Sequence, residues 1–360
     1  MTVARGSGRL AGTERRADSG GTTVRVLYSG FGFRHLNPGS GYHEVVGDRR
    51  RDYVCGERLP FARYPAGTRR RSVNFLLLDL VTLVRGLGYD TVHYIHPEDT
   101  TYLSPWPLRL LGKRIVYTVH VAENAWLAPA RSLFPRPKLL SLRAAHVIVV
   151  LSGSQREAFS RAFPDKEVRF VPHGFGFDNA REPSTELFER RSKARRLIVV
   201  GNNYRDFDLL GRIIAQRGSR EVEIHLVGVD DDARRRFERL ALVVCHTRLD
   251  PARYDELLRE SFALLLPLSF ATANNALLEA YKCHLPAFAS RIDGITDYAV
   301  DDDRWLFSSP DEFWSKYDAL AAMEPAVLHD LCVTLHNTAR ERFSWAKIRA
   351  QLAGLYAPSR

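Results

Sequence analysis

Cysteines are few in this chain, and it has no long apolar run. Only four cysteines occur among 360 residues, and no two of them have the spacing of a zinc site or a thioredoxin-like pair. We therefore expect no disulfide framework, and a reducing cytoplasm is the simplest compartment. No apolar run approaches the roughly 18 residues that a membrane-spanning helix needs. Residues 1–22 are basic but lack the apolar core of a signal peptide, so we interpret them as a flexible tail.

Acidic residues are outnumbered by basic ones. The chain has 52 Lys and Arg against 42 Asp and Glu, a formal net charge of +10 that favours anionic partners such as phosphates, acidic lipid headgroups or nucleic acid. Arginine triplets at 49–51 and 69–71 flank a segment with proline and glycine, which is typical of an exposed, mobile insertion. Only Tyr53, Phe61 and Tyr64 supply aromatic rings between the triplets, so nucleic acid is the less expected partner.

Several catalytic motifs are missing. The chain has no P-loop, no dinucleotide fingerprint, no Ser-His-Asp order and no cluster of metal-ligating residues. The acidic triplets at 230–232 and 301–303 are interpreted as solvated turns. We therefore expect a reaction that uses no metal and no cofactor other than a co-substrate.

The length and the alternation of strands and helices predict two domains. At 360 residues the chain is long enough for two α/β domains. Strand and helix patterns alternate over residues 23–178 and again over 197–339, which predicts two Rossmann-like domains whose parallel sheets face a central cleft. Residues 179–196 are polar and charged, as expected of a linker, and residues 340–360 are expected to form a terminal helix.

The most informative segment is 261–297. Residues 262–268 are continuously apolar at their centre, as in a strand buried on both faces, and Asn274 or Asn275 is a natural N-cap for the next helix. Glu279 lies on the same helix face as Asn275, near the helix start. A carboxylate at this place would repel a phosphate but suits the two hydroxyl groups of a ribose, so the segment suggests a sugar nucleotide.

Two segments carry a resemblance to a known family. ANNALLEAYKCHLPAFAS at 273–290 resembles the donor-binding segment of glycosyltransferase family 4, retaining enzymes of the GT-B fold, and RERFSWAKIRAQLAGLY at 340–356 resembles that family's C-terminal signature. The resemblance implies an α/β GT-B fold in which the last helix crosses back to the first domain. It also implies that Glu279 binds the ribose of a nucleotide sugar.

The resemblance places a diphosphate site beside the strand that ends at Gly201. The family's phosphate-binding arginine and lysine would correspond loosely to Asn202 and Arg205, and a permanently charged arginine can replace lysine there. The alternative is a surface Arg205 paired with a neighbouring aspartate, Asp206 or Asp208.

A glycine loop of the first domain closes over the donor phosphates in the family. Gly39, Ser40 and Gly41 are the candidates for that loop in this chain, with a simple turn as the alternative.

His120 ends the predicted strand RIVYTVH, where family members have a histidine that contacts the donor sugar near the reacting carbon. A structural histidine is the alternative. One departure from the family concerns the sugar: Ala271 stands where a first glutamate is usual, eight positions before Glu279. Thr272 or Asn274 is expected to bind the sugar in its place.

The sequence thus predicts a retaining glycosyltransferase of polysaccharide biosynthesis. It would move a sugar from a nucleotide-diphosphate sugar to an acceptor that the sequence does not identify: a glycan, a lipid-linked molecule or a small molecule. A nucleotide-sugar epimerase of the same fold and a non-catalytic basic binding protein are the alternatives. Residues 101–114 mix Trp, Leu, Arg and Lys, which is typical either of a patch that contacts an anionic membrane or of a core helix with solvated charges.

Overall fold

The chain folds into two α/β domains, each built on a six-stranded parallel sheet. The computed structural model describes residues 24–32, 39–63, 68–98, 100–127, 137–178, 180–247 and 249–357. The tail expected at residues 1–22 lies outside these ranges, as do residues 33–38, which precede the candidate loop residues Gly39, Ser40 and Gly41. The predicted α/β class with two parallel sheets is confirmed.

The first sheet has the order β2-β1-β3-β4-β5-β6. Its strands are β1 (Val26–Gly30), β2 (Tyr53–Cys55), β3 (Thr91–Tyr94), β4 (Arg114–Val119), β5 (Val147–Val150) and β6 (Glu167–Phe170). The helices of this domain are α1 (Arg69–Gly86), α2 (Pro105–Leu110), α3 (Glu123–Leu127), α4 (Pro137–Arg143) and α5 (Gly153–Ala162).

The second sheet has the order β12-β11-β10-β7-β8-β9. Its strands are β7 (Leu197–Val200), β8 (Ile224–Val227), β9 (Val243–His246), β10 (Ala263–Leu266), β11 (Ala287–Ser290) and β12 (Leu306–Phe307). The helices are α6 (Thr185–Ala194), α7 (Phe207–Ala215), α8 (Asp231–Phe237), α9 (Pro251–Glu260), α10 (Asn275–Lys282), α11 (Asp302–Trp305), α12 (Pro310–Ala321), α13 (Pro325–Phe343) and α14 (Trp345–Tyr356).

The central strands are buried because helices cover both faces of each sheet. All residues of β5 and β10 are buried, and so are those of β3 and β11. The loops at the carboxyl ends of these strands are therefore held by a rigid core, and they are where an open α/β sheet places its ligands.

The last helix crosses back to the first domain. α13 ends at Phe343, Ser344 adopts an extended conformation, and α14 then packs its buried face, which includes Trp345 and Tyr356, into the core of the first domain. Gly174 makes this approach possible, since a Cβ there would lie 2.3 Å from the Trp345 ring. The predicted crossover is confirmed.

Two segments differ from the sequence interpretation. Tyr53–Cys55 is not part of an exposed insertion: it forms the buried edge strand β2, which pairs in parallel with β1. Tyr64 lies outside the described residues. The expected linker 179–196 contains α6, whose Phe188 and Arg191 are fully buried. Arg191 donates to the carbonyls that end α9 and α10, a role that a polar composition does not reveal.

Candidate functional site

The two sheets point the carboxyl ends of their strands at one open cleft of about 1010 Å³. The first domain lines it with Ser40, His120, Val121 and Ala122. The second domain lines it with the loop after β7 (Val200 to Arg205), Gly228, the start of α9 (Leu249 to Pro251, and Tyr254), and the segment Phe270 to Ala276 with Glu279.

All the residues predicted for the site line this cleft except Gly39 and Gly41. Gly39 has a φ of +86°, and its carbonyl accepts hydrogen bonds from Gly176 N at 3.0 Å and Trp345 Nε1 at 2.7 Å. Gly41 precedes the short 3-10 helix Tyr42–Val46. Gly39 and Gly41 therefore belong to a turn that is hydrogen-bonded to Trp345 of the crossover helix. Ser40, between them, is the residue of this turn that lines the cleft.

Glu279 projects into the cleft from α10. Asn274 caps this helix, its side-chain oxygen accepting from Leu277 N at 3.2 Å, which makes Asn274 rather than Asn275 the N-cap. One carboxylate oxygen of Glu279 accepts from the Tyr254 hydroxyl at 2.6 Å. Burial and the nearby Glu279 carboxylate raise the pKa of Tyr254 well above its ordinary value, so the hydroxyl stays protonated and holds the carboxylate in place.

Arg205 follows β7 and folds back under the end of that strand. Its Nε donates to the Val200 carbonyl at 2.8 Å and one terminal nitrogen donates to the Asn203 carbonyl at 3.1 Å. Gly201, with a φ of +82°, leaves room for the guanidinium, since a Cβ there would lie 3.3 Å from it. Burial lowers the pKa of Arg205 to about 10, so it remains a cation at neutral pH.

The neighbouring aspartates do not pair with Arg205. Asp206 caps α7 by accepting from Leu209 N at 2.7 Å, and Asp208 pairs with Arg236 at 2.7 Å. Within the described part of the chain, no carboxylate forms an ion pair with Arg205. The alternative of a surface ion pair is therefore wrong for these two aspartates.

Asn202 points away from Arg205. Its amide donates to the Asp230 carboxylate at 3.0 Å and accepts from Asp230 N at 3.3 Å, which joins the loops that follow β7 and β8. Gly228, with a φ of +69°, brings the second loop close to the backbone of Gly201. Two backbone turns thus meet at this wall of the cleft, next to a half-buried cation.

His120 is neutral and its tautomer is determined by its partner. The ring Nε2 lies 2.7 Å from the Ile95 carbonyl, which can only accept, so Nε2 carries the proton and Nδ1 is an acceptor. Burial lowers the pKa of His120 to about 4. The ring stacks on His96 at 4.8 Å and meets the edge of Tyr42 at 4.7 Å.

A buried glutamate holds the loop that carries His120. One oxygen of Glu98, 8% exposed, accepts from the main-chain N–H of His120 at 2.5 Å and from that of Val121 at 3.4 Å. The Gln155 amide donates to the Val121 carbonyl at 2.8 Å. The sequence analysis missed Glu98, because the only signal is a carboxylate shortly after a strand, which is common on surfaces.

The two domains are joined by hydrogen bonds beside the cleft. The Thr272 hydroxyl donates to the His120 carbonyl at 2.9 Å, and Gly153 N donates to the Asp297 carboxylate at 2.7 Å. A Cβ at position 153 would lie 3.2 Å from that carboxylate. The second domain supplies the carboxylate, and Gly153 of the first domain leaves space for it.

Ala271 replaces the first glutamate of the family with a small buried side chain, 6% exposed. The loop at Gly294 packs directly on it, since a Cβ at Gly294 would lie 2.1 Å from the Ala271 carbonyl oxygen. Thr272 and Asn274, the predicted replacements, line the cleft, and each already makes one hydrogen bond within the protein.

Other lining residues escaped the sequence analysis as well. Tyr204 and Phe270 meet edge to face at 5.0 Å between ring centres, and Asp250 caps α9 beside Leu249. Their positions depend on contacts between loops that are distant in the sequence, and no local sequence pattern predicts such contacts. Among the described residues, no group of three or more His, Cys, Asp or Glu side chains could hold a metal ion.

Two glycosyltransferase family models match the sequence. Residues 17–178 match the family model described as Glycosyltransferase Family 4, and residues 194–322 match Glycosyl transferases group 1. No curated protein matches the sequence.

Solved structures share the fold. HepE of Anabaena, in complex with UDP, is 12% identical with a TM-score of 0.66, covering 92% of this chain and 99% of that one. Sucrose-phosphate synthase of Thermosynechococcus elongatus is 18% identical with a TM-score of 0.61, covering 84% and 82%. A glycosyltransferase of Rickettsia africae is 10% identical with a TM-score of 0.63, covering 92% and 97%.

Proposed function

The chain is a glycosyltransferase of the GT-B fold that resembles family 4, and we propose that it uses a nucleotide-diphosphate sugar and retains the anomeric configuration. The observation that supports a nucleotide-diphosphate donor is that Arg205 and Glu279, which do not pair with each other, line the same cleft. A half-buried cation with no ion pair among the described residues suits a diphosphate. A fixed carboxylate on the neighbouring helix suits the hydroxyls of a ribose.

A uridine nucleotide is the first donor to test. HepE, which shares the fold, was solved with UDP-glucose as well as with UDP. In this chain the loop after β7, which carries Arg205, and Gly228 of the loop after β8 line the same wall. Fixed N–H groups and a guanidinium are the groups that stabilise a departing diphosphate without a metal ion.

His120 is proposed to contact the donor sugar from the opposite wall. Because Nε2 of His120 donates to the Ile95 carbonyl, the other ring nitrogen, Nδ1, can accept a hydrogen bond from a sugar hydroxyl. In the retaining reaction that we propose, the bond from the anomeric carbon to phosphate breaks and the bond to the acceptor oxygen forms on the same face. The acceptor's proton goes to the departing phosphate oxygen, so His120 positions the sugar and need not act as a base.

The acceptor is a glycan, a lipid-linked molecule or a small molecule. We propose a cytoplasmic role in polysaccharide biosynthesis, in keeping with four cysteines that are all free thiols. The loss of the first glutamate at Ala271 keeps one second candidate open, a nucleotide-sugar epimerase. Incubation with donor alone separates the two, since only an epimerase converts the donor to a new sugar nucleotide without an acceptor.

A thermal-shift series tests the donor. The purified protein is heated with UDP-, GDP-, dTDP- or ADP-glucose, and a donor at a hundred times its dissociation constant adds about 2.7 kcal/mol, a rise of a few degrees in Tm. The Glu279→Gln variant is the control and should show a clearly smaller rise in Tm at the same donor concentration. No shift with any donor would contradict the proposal and favour a non-catalytic binding protein.

A further inference from the structure

The exposed side of helix α1 is apolar from Val73 to the end of the helix. Every position from Val73 to Leu87 that is exposed to solvent carries valine or leucine. These residues are Val73, Leu76, Leu80, Val84 and Leu87, and Val84 is 69% exposed. Their spacing of three and four residues places them on one side of the helix. A surface helix normally has polar residues on the side away from the core, so this side is unpartnered in the described part of the chain.

Helix α2 extends the same apolar surface. Its exposed residues and those at its ends are Leu103, Trp106, Pro107, Leu110 and Leu111, and Leu110 is 82% exposed. The buried carboxylate of Asp79 on α1 accepts from the backbone N–H groups of Tyr102 and Ser104, which fastens the start of α2 against α1. We call these ten residues of the two helices the apolar face.

The segments that carry the apolar face contain almost no acidic residues. Residues 100–122 contain no Asp or Glu, and residues 68–89 contain only Asp79, which is buried. Basic residues stand beside the face: the exposed Arg70 at the start of α1 and the partly exposed Lys113 after α2. Whatever covers the face must therefore offer an apolar surface together with negative charge.

We propose that the apolar face lies on an anionic lipid bilayer. No helix in the described ranges is long and apolar enough to cross a membrane, so the contact would be a shallow insertion of α1 and α2. The exposed Trp106 belongs to the residue type that prefers the interface between headgroups and acyl chains. Arg70 and Lys113 would meet the negative headgroups, each adding to the attraction at low salt.

Two other occupants fit less well. A second copy of this chain would bring two basic borders together with no acid to pair with them. Residues 1–23 of the chain carry four arginines against one Asp and one Glu, and Met1, Val3 and Leu10 are their only large apolar side chains. Only the lipid surface satisfies both the apolar residues and their basic neighbours. The inference goes beyond the proposed transfer, and it holds whichever donor the cleft binds.

Vesicle flotation tests the proposal. The full chain is mixed with vesicles of phosphatidylcholine alone, or of phosphatidylcholine and phosphatidylglycerol in equal parts, in 0.1 M and 0.5 M NaCl. The double variant Val84→Glu/Leu110→Glu removes two of the most exposed apolar side chains. Val327→Glu is the matched control, since Val327 is 56% exposed on α13 of the other domain. We expect the wild type and the control to float with the anionic vesicles at 0.1 M NaCl.

The double variant should partition at least tenfold less, and the higher salt should release the wild type. Absence of binding, equal binding to neutral vesicles, or unchanged binding of the double variant would each overturn the proposal. A wild-type dimer that the double variant abolishes, without vesicle binding, would assign the face to a second copy and also overturn it. The donor thermal shift of the same double variant reports separately on folding and on the proposed function, because neither residue lines the cleft.

Discussion

The Thr272 hydroxyl donates a hydrogen bond to the main-chain oxygen of His120 at 2.9 Å, and this bond crosses the cleft. Thr272 precedes helix α10 of the second domain, whereas His120 directly follows β4 of the first domain. The bond therefore fixes the distance between the group proposed to contact the sugar and the helix proposed to hold the nucleotide. A small change in this distance is enough to change the rate of transfer.

Thr272→Val keeps the shape of the side chain and removes the bond. We expect kcat to fall about tenfold, from a misplaced His120, while the dissociation constant of the donor changes by less than about threefold. Thr272→Ser keeps a hydroxyl and should stay near the wild-type rate. Steady-state kinetics together with donor titration measure both quantities. Equal losses in Thr272→Val and Thr272→Ser would rule out this role for the hydroxyl.

Glu279→Gln removes the charge that is proposed to bind the ribose. Hydrogen bonds to a charged group contribute about 1.5–3 kcal/mol, so donor affinity should fall roughly tenfold to a hundredfold. Tyr254→Phe, which removes one hydrogen bond to the carboxylate, should have a smaller effect in the same direction. Glu256→Gln is the control, because Glu256 is exposed and pairs with Arg253 on α9. Calorimetric titration with the donor found by thermal shift measures the dissociation constant of each variant.

Arg205→Ala should abolish detectable turnover, since the diphosphate loses the cation beside it during departure. Arg205→Lys keeps the charge but not the bonds to the Val200 and Asn203 carbonyls, so we expect an intermediate rate. Arg212→Ala, at an exposed position of α7, should behave as the wild type. If Arg205→Ala turned over at the wild-type rate, the diphosphate would have to bind elsewhere.

The sequence was most informative where one local pattern determines one element. The continuous apolar run at 264–266 predicted the buried strand β10, and the asparagines at 274 and 275 predicted the start of α10. Glu279 then followed from its place on that helix. Such features depend on neighbours in the chain, so they can be derived without knowing the fold.

Features that depend on distant neighbours were missed. Tyr53–Cys55 is a buried strand although arginines precede it, because β1 and α1 cover a segment whose own composition suggests exposure. Tyr254 reaches Glu279 across 25 positions, and Asp297 reaches Gly153 across 144. No periodicity or local motif records such pairs, since they arise only when the two sheets and their loops are assembled.

Glu98→Ala should lower kcat without a comparable loss of donor affinity. The carboxylate accepts from two backbone N–H groups, those of His120 and Val121, so its loss leaves buried donors without a partner and loosens the loop. We expect a fall in kcat of about tenfold or more. Glu98→Gln retains an acceptor oxygen and should recover much of the rate. A purely structural role would instead lower Tm equally in both variants and leave kcat of the folded fraction unchanged.

Acid should destabilise the protein through histidines that are buried without charge. Burial lowers the pKa of His93 and of His173 to about 3, and the pKa of His96 also falls well below its ordinary value. An unfolded histidine has a pKa of about 6.5, so between pH 7.5 and 5.5 the unfolded chain gains protons that the folded chain does not. The free energy of unfolding is therefore highest above the pKa of an unfolded histidine, and it decreases as the pH falls below that value.

Each such histidine should cost about 1.4 kcal/mol of unfolding free energy over those two pH units. His173→Asn tests one of them, because an asparagine amide can donate to the Gly174 carbonyl as Nδ1 of His173 does, at 2.6 Å. Urea unfolding at pH 7.5, 6.5 and 5.5 measures the free energy of unfolding. Between pH 7.5 and 5.5 it should fall by about 1.4 kcal/mol less in this variant than in the wild type. If His173→Asn and the wild type had the same slope, His173 would have to titrate equally in the folded and unfolded chains, and its burial in the neutral form would be wrong.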